Sequence, residues 1–251
     1  MNAKLVLLVA IFGLLVGLAS TQSRQIGGKD VIVQDYPFVV AITYLRELCG
    51  NGAIIQKRWI VSSASSFYNR PFSQYDVAVA TDDFRGDATW HEVLNIYIHP
   101  EWVGFEHNIG LVKLVTEVSY SVAVQPISIA TNDWSRPLDV TMLSYGKNEA
   151  GSTHLRAATY TLKTDQTCLQ LLQDYNSRDV ITLGHGYCLI PPAGTERGQY
   201  VNDAGAPVVK DNQLYGLFAF SENSGGVNDV SVATRVTFFT DWIESSIARY
   251  S

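Results

Sequence analysis

The residues best placed to do chemistry lie in one stretch, Tyr200-Val201-Asn202-Asp203-Ala204-Gly205-Ala206-Pro207-Val208-Val209. It has the form of a tight, glycine-containing turn running into an apolar strand, with an aspartate just before the small residue at its tip. A hydroxyl or thiol at such a tip would be an exposed nucleophile. Position 204 is alanine, so the stretch reads as a nucleophile loop without its nucleophile. Other candidates are a hydroxyl cluster at Ser62, Ser63, Ser65 and Ser66, the pair His107-Asn108, and three cysteines, Cys49, Cys168 and Cys188.

The elements that must position these residues are mostly strands. Phe38–Leu45 is rich in β-branched and aromatic residues, and Cys49-Gly50-Asn51-Gly52 reads as a turn. Short strands are predicted at Ala53–Ile55, Trp59–Val61, Asp76–Ala80, Val93–Ile98, Ile109–Leu114, Val140–Tyr145, Tyr215–Phe220 and Val230–Thr234. Their close spacing, with turn residues between, points to an antiparallel barrel or sandwich rather than βαβ units. Two segments read as helix: Asp165–Tyr175, and a C-terminal stripe of Val236, Phe239, Trp242, Ile243 and Ile247 expected to dock as packing.

At the N-terminus, Lys4, the apolar run Leu5–Leu15 and the small residues of Gly17-Leu18-Ala19 predict a cleaved secretory leader over residues 1–19. The run is too short for a comfortable membrane span, and no other long apolar run follows. The chain of 251 residues carries a formal charge of −6, and loss of Lys4 with the leader makes it one unit more negative. No Lys/Arg run would track phosphates, so nucleic acid is not an expected partner, and anionic membranes are disfavoured. In an oxidising compartment three cysteines mean one bridge and one leftover thiol. No sequon for N-glycosylation occurs. The segment 20–24 ends in Arg24, followed by Gln25-Ile26-Gly27-Gly28, which fits a processing site or a loop at a domain start.

Taken together these pieces resemble the secreted trypsin-like (chymotrypsin-fold, S1 family) serine proteases. Arg24 with Gln25-Ile26-Gly27-Gly28 resembles the activation site. Cys49–Ile55 and Trp59–Ser66 resemble the region of the catalytic histidine. His107–Leu114 resembles the strand led by the catalytic aspartate, Asn202–Pro207 the nucleophile loop, and Thr234–Val236 with Asp241-Trp242-Ile243 the C-terminal signature. The resemblance implies an all-β fold of two six-stranded antiparallel β-barrels with a C-terminal helix. It also implies a short propeptide over 20–24 and a peptidase domain over 25–251.

The departures from that pattern fall on the chemistry. Ser65 stands for the general base, Asn108 for the orienting carboxylate and Ala204 for the nucleophile. Acyl transfer by this mechanism needs a nucleophile, a base titrating near neutrality and a carboxylate fixing its tautomer. Loss of nucleophile or base costs on the order of a millionfold in kcat. His107 is the nearest alternative base, but strand alternation predicts that it faces away from the cleft. Gly198 stands at the base of the specificity pocket, Phe220 and Ser221 on its wall, Asn202 and Asp203 in the oxyanion loop. Tyr200 replaces a bracing cysteine. Gln25 is a poor apolar plug, so Asp203 is expected to need a partner other than a new N-terminus. The resemblance pairs Cys168 with Cys188 across about twenty residues, worth a few kcal/mol. It leaves Cys49 unpaired, because Ser66 stands where its partner would be.

The expectation is therefore a secreted, extracellular protein that is not an enzyme and needs no cofactor or metal. It would bind an extracellular protein (an active protease, an inhibitor or a receptor) as cofactor, decoy or regulator of proteolysis. The alternatives are a secreted serine-type endopeptidase with rebuilt chemistry, and a non-enzymatic ligand-binding or immune protein on the same scaffold.

Overall fold

The computed structural model describes residues 27–67, 70–131, 137–146, 153–195, 198, 201–223 and 229–251. The leader over 1–19, the propeptide over 20–24, the processing pair Arg24 and Gln25, and Tyr200 lie outside them.

Fourteen strands run β1 (Lys29–Asp30), β2 (Val39–Tyr44), β3 (Glu47–Gln56), β4 (Trp59–Ser62), β5 (Tyr75–Val79), β6 (Thr89–Ile98), β7 (Gly110–Leu114), β8 (Ser128–Ile129), β9 (Leu138–Ser144), β10 (Arg156–Leu162), β11 (Gly186–Ile190), β12 (Pro207–Lys210), β13 (Gln213–Ser221) and β14 (Ser231–Arg235). Strands β2-β3-β4-β7-β6-β5 close one antiparallel barrel. Strands β9, β10, β11, β14, β13 and β12 close the second, with β1 added antiparallel to β10 and β8 parallel to β13. The two six-stranded barrels and the C-terminal helix match the architecture expected from the sequence.

Strand alternation feeds two cores at once. On β2, Val40 and Ile42 point into the first barrel with Ile54, Ile60, Val77 and Val112. Val39 and Ala41 face the seam between barrels with Trp59, Leu143, Tyr145 and Leu217. The second barrel is filled by Val140, Met142, Tyr160, Leu189, Val208 and Phe218. Two hairpins turn on adjacent non-glycine residues with positive φ, Leu45-Arg46 (53° and 65°) and Asp211-Asn212 (48° and 57°), the twist that two-residue loops require.

The segment Cys49–Gly52, read from sequence as a turn, is instead the middle of β3. Its glycines serve close packing. A Cβ on Gly50 would lie 2.4 Å from Ser66 Oγ, and one on Gly52 would lie 2.8 Å from the Ile60 side chain. The helix expected over Asp165–Tyr175 is two helices, α1 (Asp165–Leu171) and α2 (Tyr175–Thr182). The chain is extended at Leu172, and Asp174 caps α2 by accepting from Ser177 N. A disulfide joins Cys168 on α1 to Cys188 on β11.

The third helix, α3 (Thr240–Tyr250), follows a single 3₁₀ turn at Val236–Phe239. It packs back on the first barrel. Tyr250 stacks on Tyr97 with centroids 4.1 Å apart, and Lys113 Nζ donates to the Tyr250 carbonyl.

His91 on β6 is 9% exposed, with Nδ1 3.1 Å from Thr116 Oγ1. Burial holds its pKa below the ordinary 6.5, the Thr116 contact opposing in part. The unfolded chain therefore binds more protons than the folded one just below pH 6.5. The stabilisation is complete above that value and is lost as pH falls toward the folded pKa. His91→Gln should flatten the decline of unfolding free energy below pH 6.5, read from urea melts in EDTA over a pH series.

Candidate functional site

The polar seam between the barrels is organised by Asn51, a fully buried residue of β3. Its Nδ2 donates to the Asn202 carbonyl (3.0 Å), and its Oδ1 accepts from Tyr145 N (2.8 Å). Its backbone N–H donates to the Ala204 carbonyl at 2.8 Å, and its carbonyl accepts from Ser62 Oγ at 2.6 Å. Asn51 thus ties the first barrel both to Tyr145, the residue after β9, and to the 202–204 turn. Sequence reasoning missed it because Gly-Asn-Gly resembles a surface turn.

The turn itself keeps a fixed frame. Residues Val201–Asp203 form a 3₁₀ turn, Gly205 has φ 76°, Gly205 N donates to Phe218 O, and Ala206 N donates to Asp203 O. Asp203 is fully buried and accepts from Ser144 Oγ at 2.5 Å. Ser144 is thus one partner for the carboxylate that sequence reasoning expected to need one. A Cβ on Gly146 would lie 2.0 Å from Asp203 Oδ1, so glycine is required beside that carboxylate.

The structure brings Ser65 and Asn108 together across the sequence. Ser65 N donates to Asn108 Oδ1 at 2.9 Å, and Asn108 Nδ2 lies 3.3 Å from Ser65 Oγ. Asn108 is anchored from the second barrel by Thr234 Oγ1, which donates to its carbonyl at 2.9 Å. Ser65 is exposed and Ala204 half-buried, so the turn carries a methyl group at 204. Ser62 and Ser63 are fully buried and donate to Asn51 O and Phe218 O, so they are structural.

Gly198 is buried, and Phe220 and Ser221 are half-buried on β13. Phe220 does not stand alone. Phe105, from the loop between β6 and β7, stacks on it with centroids 3.8 Å apart and planes 19° apart. Ser221 Oγ lies 2.9 Å from Ser231 Oγ. Phe105 carried no sequence signal, because a lone aromatic in a loop has no periodicity to mark it.

His107 is a loop residue, and only the strand-alternation argument made for it fails. It lies before β7 with φ 49°, so strand alternation does not apply to it. Its ring stacks on His99 at 4.6 Å and packs against His185 at 4.1 Å, while Nε2 meets Glu101 at 3.1 Å.

Cys49 is free and half-buried, its Sγ 3.3 Å from Ile42 O. Burial pushes the thiol up to about 12, against smaller lowering effects of Arg70 and a backbone hydrogen bond. Native protein at neutral pH should therefore react with iodoacetamide at least about tenfold more slowly than urea-unfolded protein, measured by mass spectrometry. Equal rates would show the thiol to be open.

A depression of about 570 Å³ lies away from this seam, lined among others by Ile55, Ile127, Ile129, Ile243 and Ile247. It follows the junction of α3 with β3 and β8.

Two barrels meeting over a buried aspartate, with a tight turn and paired 65/108 positions at their junction, define the trypsin class of folds. The trypsin family model matches residues 25–243, and the chain belongs to that family. It is 25% identical over 230 residues to a trypsin of Saccharopolyspora erythraea, covering 88% of this chain and 97% of that one. It is 25% identical over 236 residues to serine protease SP24D of Anopheles gambiae, covering 91% and 83%. Mouse neuropsin, a serine protease expressed in the limbic system, superposes with a TM-score of 0.76 at 18% identity, over 88% of this chain and 99% of that one. These findings correct the expectation that the chain is not an enzyme. The relatives it matches bear the names of trypsins and serine proteases, which places the chain in a protease family.

Proposed function

We propose that the chain is a secreted member of the trypsin family that binds an extracellular protein at the seam between its barrels, as a cofactor, decoy or regulator of proteolysis. The observation that carries this reading is the rigid frame around a methyl-bearing tip. Asn51, Gly205 and the Asp203–Ser144 pair hold the 202–206 turn, Ser65 and Asn108 bond to each other, and the Phe105–Phe220 stack supplies an apolar wall. A preformed surface of this kind binds a polypeptide side chain without an ordering penalty. The disulfide and the apolar leader support an extracellular setting.

Affinity capture from the native secretion, with wild type and a Phe105→Ala/Phe220→Ala double variant as baits, tests this reading. A partner retained by the wild type and lost by the variant is the expected result. A partner held equally by both would place binding elsewhere and overturn it.

The names of the relatives favour a second reading, a serine-type endopeptidase with rebuilt chemistry. With alanine at 204 the attacking group would come from elsewhere, and Ser65 is the exposed hydroxyl of the site. Labelling by a fluorophosphonate probe that Ser65→Ala abolishes would establish that reading, and no labelling of the native chain would end it.

A further inference from the structure

The loop that carries Phe105 also assembles a cluster of side chains that the seam does not use. His99 ends that loop's approach, Glu101 and Glu106 lie on it, His107 closes it, and His185 reaches it from the segment between α2 and β11. Ligand atoms of Glu106, His107 and His185 all lie within 4.8 Å of one another. A tetrahedral ion with bonds of about 2.0–2.2 Å to nitrogen and carboxylate oxygen spans ligand atoms roughly 3.3–3.6 Å apart, so a small inward movement would close the set.

The hydrogen bonding of the histidines points the same way. His107 Nε2 meets the Glu101 carboxylate at 3.1 Å, a contact that favours a proton on Nε2 and leaves Nδ1 free to coordinate. His107 Nδ1 and His185 Nδ1 are both buried, and neither has a hydrogen-bond partner among the described residues. His185 as a whole is 7% exposed. A buried imidazole nitrogen without a partner is unfavourable, and two histidines carrying one each, beside the Glu106 carboxylate, make a donor set that a cation would satisfy.

We propose that His107, His185 and Glu106 form a binding site for one divalent transition-metal ion, zinc by the chemistry of its donors, with Glu101 orienting His107 from outside the coordination sphere. Two imidazoles, one carboxylate and a water complete four-coordination, a set that suits zinc and disfavours calcium and magnesium, which take oxygen ligands. Glu101 then plays the part of the carboxylate that holds a metal-bound histidine in place. Positions 106, 107 and 185 match no metal-ligand spacing, so no local motif marks the site. The site stands on its own geometry and does not depend on the proposed binding role.

Titration of the metal-free chain with cobalt chloride, then zinc chloride, tests it. One equivalent of cobalt should give the intense visible absorption of four-coordinate Co²⁺, and zinc should displace it. Glu106→Gln and His185→Asn should each weaken zinc binding by at least about a hundredfold, and Glu101→Gln by a smaller factor of about tenfold. Glu106 is part-exposed, so its variant remains informative if the buried His185→Asn does not fold. His154→Gln, remote from the cluster, should leave zinc affinity unchanged. No binding at millimolar zinc, or wild-type affinity in Glu106→Gln, overturns the proposal. So does loss on Glu101→Gln larger than on Glu106→Gln, because it would move the ion to the His99–Glu101–His107 group.

Discussion

Asn51→Ala is expected to destabilise the protein by about 2–5 kcal/mol. The truncation removes both side-chain hydrogen bonds of a fully buried amide and leaves Tyr145 N and Asn202 O without those partners. Each buried group so abandoned costs about 1–3 kcal/mol, more than the net worth of the bond itself. The backbone bond from position 51 to Ala204 O survives, so the loss should be one of stability with the fold retained. Urea denaturation should show a lower midpoint with an unchanged slope. A loss below about 1 kcal/mol would mean that the seam is held by apolar contacts and that the amide is incidental.

Gly205→Ala should be comparably severe, by about 2–5 kcal/mol, from two separable causes. A left-handed backbone is unfavourable for alanine by about 1–2 kcal/mol. A Cβ there would also lie 2.2 Å from Asn51 O and 2.3 Å from Ser62 Oγ, and such overpacking costs about 1–3 kcal/mol. Gly104 supplies the control. It has a similar φ of 58°, yet a Cβ there meets nothing within 4 Å. Gly104→Ala should therefore show the conformational part alone, and the difference in midpoint between the two variants measures the crowding at the turn. Equal losses would remove the steric argument.

The architecture was legible because strands with alternating apolar residues leave a strong record, and so do the motif pieces around Ser65, Asn108 and Ala204. The errors have physical origins. Gly50 and Gly52 read as turn residues, but they are strand residues whose missing side chains admit Ser66 and Ile60. Helix α2 was missed because Tyr175-Asn-Ser-Arg-Asp179 is polar and only Val180 and Ile181 mark its buried face. Asn51 meets Asn202, Phe105 meets Phe220 and His107 meets His185 across 151, 115 and 78 residues, and no local pattern encodes such meetings. The expectation of a non-enzyme read three positions correctly as residues and drew from them more than the family comparison sustains.

The docking of α3 bears on how the chain is made. Its eleven residues, Thr240–Tyr250, are made after both barrels, yet Tyr250 seats on Tyr97 and receives Lys113 of the first barrel. The half of the protein synthesised first is therefore not sealed until α3 has been made. A nascent chain stalled short of Thr240 would expose Tyr97, Lys113 and the apolar seam together. Closure of the early barrel thus waits on a helix encoded more than a hundred residues after Lys113.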